Sequence, residues 1–153
     1  MKAEEMTILD FAPEKKQKRV SQINEPRNKT HVIALVPVEY LNHTWPDVKD
    51  EIQRAVARSN GRWSIEFLYA AILNGQQQLW VAFDEDKNID GVGTTEVAYY
   101  PAKMMLAIQF LGGKNFNSWV WDMLEKFKQF GRDNNCQGIE ATGRPGFWKW
   151  LGQ

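Results

Sequence analysis

The sequence predicts a mixed α/β domain, a central sheet with helices on both faces, in the order β-α-α-β-β-β-α-β-α. Two observations carry this. Three consecutive strand patterns joined by short turns imply an antiparallel run. The stretch from Lys103 to Gln153 then reads as strand, glycine turn, amphipathic helix, strand and helix start, a unit that places one parallel pair in the same sheet.

Residues 1–30 read as a polar, basic N-terminal extension ahead of a domain spanning 31–153. The run Pro13-Glu14-Lys15-Lys16-Gln17-Lys18-Arg19 is the composition of a solvated tail, with nucleic-acid contact as the alternative. Ahead of it, Met6, Ile8, Leu9 and Phe11 form a short apolar group suited to docking on a partner or on the domain itself. Val32-Ile33-Ala34-Leu35-Val36 is the first buried strand. Thr44-Trp45-Pro46-Asp47 predicts a helix start with Thr44 as N-cap, followed by Val48, Ile52, Ala55 and Val56 at helical spacing. A second helix opens at Ser64, with Ile65, Leu68, Tyr69 and Ile72 on one face and Gly75 past its end.

Leu79–Phe83 and about Ile89–Tyr100 are the next strands, Gly91 and Gly93 marking a bulge or a close backbone approach. Pro101 ends the second of them, and Met104–Phe110 follows. Gly112-Gly113-Lys114 is the turn into a helix over about Asn117–Asp133, whose apolar stripe is Phe116, Val120, Met123, Phe127 and Phe130. Gly138–Ala141 is the last strand.

At 153 residues, 43% hydrophobic and 25% charged, the chain has the composition of one globular domain. A net charge of zero gives no bulk attraction to nucleic acid or anionic membrane. The single cysteine, Cys136, rules out an internal disulfide framework and a cysteine metal cluster, and a buried structural thiol is the expected role. No apolar run approaches the roughly 20 residues of a membrane span, and the first residues lack the apolar core of a secretion signal. Seven Trp are the unusual feature, supplying large buried area or marking an interface. His31 and His43 have no partner at ligand or triad spacing, so neither is assigned chemistry.

The element order from Val32 to Leu151, with two helices after the first strand and a glycine turn after the fourth, resembles the GNAT N-acetyltransferase superfamily. Its local signature is Gln or Arg, two residues, Gly, any residue, then Gly or Ala. Gln109-Phe110-Leu111-Gly112-Gly113-Lys114 matches the Gln and the first Gly, with Lys114 in place of the small residue. Cys136-Gln137-Gly138-Ile139-Glu140-Ala141-Thr142-Gly143-Arg144-Pro145-Gly146-Phe147-Trp148 looks like a segment of small GNAT-like proteins of tailed bacteriophages. That likeness implies a protein of the host cytoplasm or the virion.

The resemblance implies acetyl-CoA as cofactor, its pyrophosphate on the backbone amides of Gly112, Gly113, Lys114 and Asn115, with Gln109 opening the motif and Lys114 as charge partner. It places a main-chain donor to the thioester carbonyl near Leu106 to Ile108. Candidate bases are Glu96 and Glu140; Tyr99 and Tyr100 are the candidate acids. The family's late Tyr is missing after Tyr100, and its last two strands have no counterpart before Gln153. The second reading is therefore a non-catalytic GNAT-like module, virion-associated or partner-binding, whose open sheet edge is covered by self-association or a protein partner.

Overall fold

The computed structural model describes residues 5–10 and 30–142. The basic run at 13–19 and the Gly143–Trp148 part of the phage-like segment, with the final helix start, lie outside them. Six strands form one sheet in the order β1-β6-β5-β4-β3-β2: β1 Glu5–Asp10, β2 Val32–Leu35, β3 Gln78–Phe83, β4 Ile89–Tyr99, β5 Met104–Gly113 and β6 Gly138–Thr142. The helices are α1 Leu41–Ala57, α2 Ile65–Leu73 and α3 Phe116–Asp133. Every strand pairing is antiparallel except β5 with β6.

Two apolar clusters lie on opposite faces of this sheet. On one, Val120, Met123 and Phe127 of α3 pack with Trp80, Leu106, Ile108 and Ile139. On the other, Leu41, Val48, Ile52 and Val56 of α1 and Leu68 and Ile72 of α2 pack with Leu79, Val81 and Val92. Strand alternation sorts the residues between the faces: from Gly91 on, odd positions of β4 meet the α3 side and even positions the α1 and α2 side. Trp80 and Trp119 are core residues, Trp45, Trp63 and Trp121 are half-buried, and Cys136 is buried. Trp148 and Trp150 lie outside the described residues.

Four sequence expectations change. Glu5–Asp10, read as part of an extension, is a strand that pairs with β6, Thr7 opposite Glu140. The β6 edge expected to be open is thus lined by the chain's own backbone. Second, α1 starts at Leu41 with Tyr40 as N-cap, not at Thr44. A 3-10 turn at Val38–Tyr40 feeds directly into it, and burial of Leu41 (1% exposed) carries the helix past the Pro46 signal. Pro46 lies inside the helix without an N–H for the carbonyl four residues earlier. The Asn42 side chain accepts from Tyr69 Oη, and Trp45 meets the Tyr69 ring edge-on at 4.9 Å, fixing α1 against α2. Third, α3 begins at Phe116. Fourth, Gly112 and Gly113 form no turn: they continue β5, opposite Val92 and Gly91.

Gly113 shows why the strand can continue. Its φ is +142°, and a Cβ there would lie 2.1 Å from the Asp90 carbonyl oxygen. Only glycine allows the two backbones so close. The turn into α3 falls on Lys114 and Asn115, the latter left-handed at φ 54°, a conformation Asn tolerates.

Asp90 organises this end of the sheet. It is the extra residue of a bulge, since Ala82 pairs with Gly91 and Phe83 with Ile89. Its carbonyl accepts from Lys114 N at 2.8 Å. Its Oδ2 accepts from His31 Nε2 at 2.9 Å and Asn115 Nδ2 at 3.1 Å. The hydrogen bond from His31, then that from Asn115, holds the Asp90 carboxyl below the usual carboxylate range. Asp90 therefore joins the starts of β2, β4 and α3.

Two outcomes are expected. A Cβ at Gly91 would lie 2.3 Å from the fully buried Trp119 ring. Gly91→Ala should lower the urea midpoint by the equivalent of about 1–3 kcal/mol; an unchanged midpoint refutes rigid packing of Trp119 on β4. For Asp90, the depressed folded pKa makes its contribution full above the unfolded value, about 3.9. It is lost as pH falls from there through the folded pKa. Asp90→Asn should therefore lose stability at pH 7, by about 1–3 kcal/mol, and the gap to the parent should shrink as the pH approaches 2. A constant gap in urea titrations across that window excludes the linkage.

Candidate active site

The site is built around β5, whose two neighbours differ in sense and length. Against β4 it is antiparallel from Met104 to Gly113. Against β6 it is parallel only at Leu106, Ala107 and Ile108, opposite Ile139, Glu140 and Ala141. Beyond Ile108, among the described residues, β5 has a strand neighbour only on its β4 side. At the same place β5 carries a bulge: Thr94 pairs with Phe110 and Thr95 with Ile108, so Gln109 has no opposite residue. The bulge therefore falls directly after the last described pairing of β5 with β6.

Alternation of an antiparallel ladder says which amides face β4. Lys114 N–H bonds back to β4, through Asp90 O. Gly112 and Phe110 are in step with it, while Leu111 and Gly113 alternate to the side away from β4. The amides expected to form the phosphate cradle thus divide, with Gly112 and Lys114 turned into the sheet. Leu106 and Ile108, expected near the carbonyl donor, lie in the stretch paired with both β4 and β6, just before the Gln109 bulge.

Chemistry-bearing side chains meet on the α1/α2 face. Glu96 pairs across β4–β5 with Ala107, and Ala107 pairs across β5–β6 with Glu140. The two carboxylates therefore occupy one row, with Cα atoms roughly 10 Å apart at two strand spacings, and a methyl side chain between them. Glu96 Oε1 accepts from Gln77 Nε2 and Gln109 Nε2, each at 3.3 Å. Glu140 is buried (8% exposed), and its Oε2 accepts from Tyr100 Oη at 2.5 Å. Of the two candidate acids, Tyr99 is 75% exposed on the opposite alternation, and Tyr100 is the one brought to a carboxylate.

Two features here were not legible in the sequence. Glu51 of α1 brings its carboxylate over Gly112, where a Cβ would lie 2.9 Å from Glu51 Oε2, and the same carboxylate pairs with Arg54 at 2.5 Å. Gln77, one residue before β3, is 2% exposed and bonds to Glu96. Its place in Gln76-Gln77-Gln78 carries no signal; only the pairing of Gln78 with Thr95 brings it level with Glu96. The buried Gln77 Oε1 and Thr94 Oγ1 have no hydrogen-bond partner, an arrangement that costs about 1–3 kcal/mol for each group. Among the described residues no group of His, Cys, Asp and Glu is placed to hold a metal ion, and no helix is long and apolar enough to cross a membrane.

No protein-family model and no curated protein matches the chain. Solved structures do. An aminoglycoside acetyltransferase from an uncultured soil metagenomic sample, in complex with sisomicin, is 17% identical with a TM-score of 0.58, covering 80% of this chain and 84% of its own. A predicted acetyltransferase with acetyl-CoA from Clostridium acetobutylicum is 12% identical with a TM-score of 0.56, covering 78% and 88%. A possible acetyltransferase from Clostridium difficile is 10% identical with a TM-score of 0.54, covering 81% and 90%. At such identities the likeness is one of fold. Together with the mixed sheet and the helices on both faces, it gives this chain a GNAT-like fold.

Proposed function

We propose that the protein is an acetyl-CoA-dependent N-acetyltransferase acting on a primary amine, with a phosphate end that departs from the family's pattern. One observation carries the reading: the Gln109 bulge of β5, just past the last described pair with β6, lies directly beside the row that holds Glu96 and Glu140. A groove lined by one unpaired strand edge suits an extended amide-bearing arm such as pantetheine, which pairs with backbone as a strand would. Acetyl-CoA bound there supplies a thioester as acyl donor. Leu111 and Gly113 N–H groups line that edge. The N-terminal turn of α3 and Lys114 provide positive potential at its end.

The remaining roles follow from position. Glu96, held by two amides on Oε1, keeps Oε2 for removing a proton from the amine. Tyr100 Oη, held on Glu140 Oε2, is a proton donor on the same face. Glu51 opposes the cofactor: its carboxylate on Gly112 adds negative charge where phosphate would approach. That is the sense in which the site is degenerate.

Calorimetry with acetyl-CoA tests this. Saturable binding is expected, lost in Gly112→Glu and several-fold tighter in Glu51→Gln. Glu96→Gln should bind acetyl-CoA normally and lower turnover by about 10²–10⁴. Absence of binding at millimolar acetyl-CoA sinks the enzyme reading.

A partner-binding, virion-associated module is the second reading, favoured by apolar exposure along β2, the other sheet edge. Val32 is 66% exposed, Leu35 40%, Val38 44% and Tyr40 60%. On this reading, Val32→Lys with Leu35→Lys should shift sedimentation from an associated species to the monomer. A parent chain that sediments as a monomer counts against self-association at this edge.

A further inference from the structure

His31 stands just before β2, and the fold gives it the partners that its place in the sequence does not. Its Nε2 lies 2.9 Å from Asp90 Oδ2, and its Nδ1 lies 2.8 Å from Thr30 Oγ1. Asp90 is met although β3 stands between β2 and β4, because the bulge in β4 leaves Asp90 out of the ladder. The three groups form a line from a nearly buried carboxylate to an exposed hydroxyl. The Asp90 side chain is 10% exposed and that of His31 5%, while Thr30 is exposed.

Chemistry fixes the direction of each hydrogen bond. The bond from His31, then that from Asn115, holds the Asp90 carboxyl below the usual carboxylate range, so it is ionised. An ionised carboxylate has no proton to give, and the proton between it and His31 therefore belongs to Nε2. A neutral imidazole carries one N–H, which leaves Nδ1 as an acceptor. The hydrogen bond at Nδ1 is then donated by the Thr30 hydroxyl. Thr30 thus has its proton aimed at a base whose other nitrogen is fixed by a carboxylate. Nucleophile to base, and base to orienting group, is the order that activates a hydroxyl for attack on an acyl carbon.

We propose that Thr30, His31 and Asp90 form a second acyl-transfer site, with Thr30 as nucleophile, His31 as general base and Asp90 as a positioning residue, and that its substrate is a small uncharged carboxylic ester. Thr30 Oγ1 forms a bond to the acyl carbon as its proton passes to His31 Nδ1. The ester C–O bond breaks, and the alcohol leaves with that proton. Water then attacks the acyl-Thr30 ester and gives a proton to His31 Nδ1. The acid departs as Thr30 Oγ1 takes the proton back, so ester and water become acid and alcohol. Val32, two residues on and 66% exposed, offers apolar surface to such a substrate. Glu96 lies further along β4, and nothing in this chemistry depends on it or on acetyl-CoA.

The test uses the full chain with 4-nitrophenyl acetate and no acetyl-CoA. Saturable release of 4-nitrophenolate is expected, and peptide mass spectrometry of the acid-quenched protein should place an acetyl group on Thr30. Thr30→Val should lower kcat/KM by about 10²-fold, while Thr30→Ser keeps the activity. An unchanged rate in Thr30→Val, or acetyl groups on lysine alone, overturns the proposal. The ring-nitrogen resonances of neutral His31 decide the base without turnover: a protonated Nε2 with a bare Nδ1 is expected, and a protonated Nδ1 overturns it. Asp90→Asn should lower kcat at an unchanged KM; an unchanged kcat overturns the positioning role. If Asp90→Asn fails to fold, the exposed Thr30 and the resonances of the parent still decide. Loss of this esterase activity leaves acetyl transfer beside Glu96 standing, and absence of acetyl-CoA binding leaves this site standing.

Discussion

The strand β5 is held between neighbours of opposite sense, and the rest of the structure depends on how far each follows it. Among the described residues the antiparallel ladder to β4 runs to Gly113, while the parallel ladder to β6 covers Leu106 to Ile108. Two neighbours of opposite sense make β5 the central strand on which both helical layers and the polar row of Glu96 and Glu140 are ordered. The fold is shared with acetyltransferases at 10–17% identity.

Two bulges tune this frame. One releases Gln109 from the regular ladder and brings its amide to Glu96. The other turns Asp90 out of register, so that one side chain and its carbonyl gather His31, Lys114 and Asn115. In each case an extra residue re-aims a polar group where a regular ladder would have pointed it elsewhere. The glycines opposite complete the arrangement. Gly91 makes room for Trp119, and Gly113 lets β5 reach the Asp90 carbonyl. Helix α3 is thereby fixed both by its apolar face and by its first turn.

Electrostatics divide the site into two ends. Lys114 and the start of α3 supply positive potential at the far end of β5, countered by Glu51 on Gly112. At the near end, Glu96 and Glu140 face the α1/α2 side with Ala107 between them, one carboxylate gripped by two amides and the other by a phenol.

The sequence by itself determined the elements with strong local signals. The Ser64 cap, whose hydroxyl accepts from Phe67 N, the stripe from Phe116 to Phe130, the long Ile89 strand and the close approach at Gly91 and Gly93 are written in spacing, capping chemistry and missing Cβ atoms. Glu96, Glu140 and Gln109 could be named because charged or motif residues on apolar strands stand out. What the tertiary structure alone decided are relations across the chain. His31 meets Asp90 over 59 positions, Tyr100 meets Glu140 over 40, and Gln77 lies beside Glu96 only through the register of β3 with β4. The Gly112-Gly113 pair reads locally as a turn, yet it stays in the sheet because β4 offers backbone to pair with. Glu5–Asp10 reads as tail, yet it joins the sheet because β6 presents a free edge. Local sequence encodes torsional preference and periodicity; which backbone edges are left to satisfy is known only once the strands are side by side.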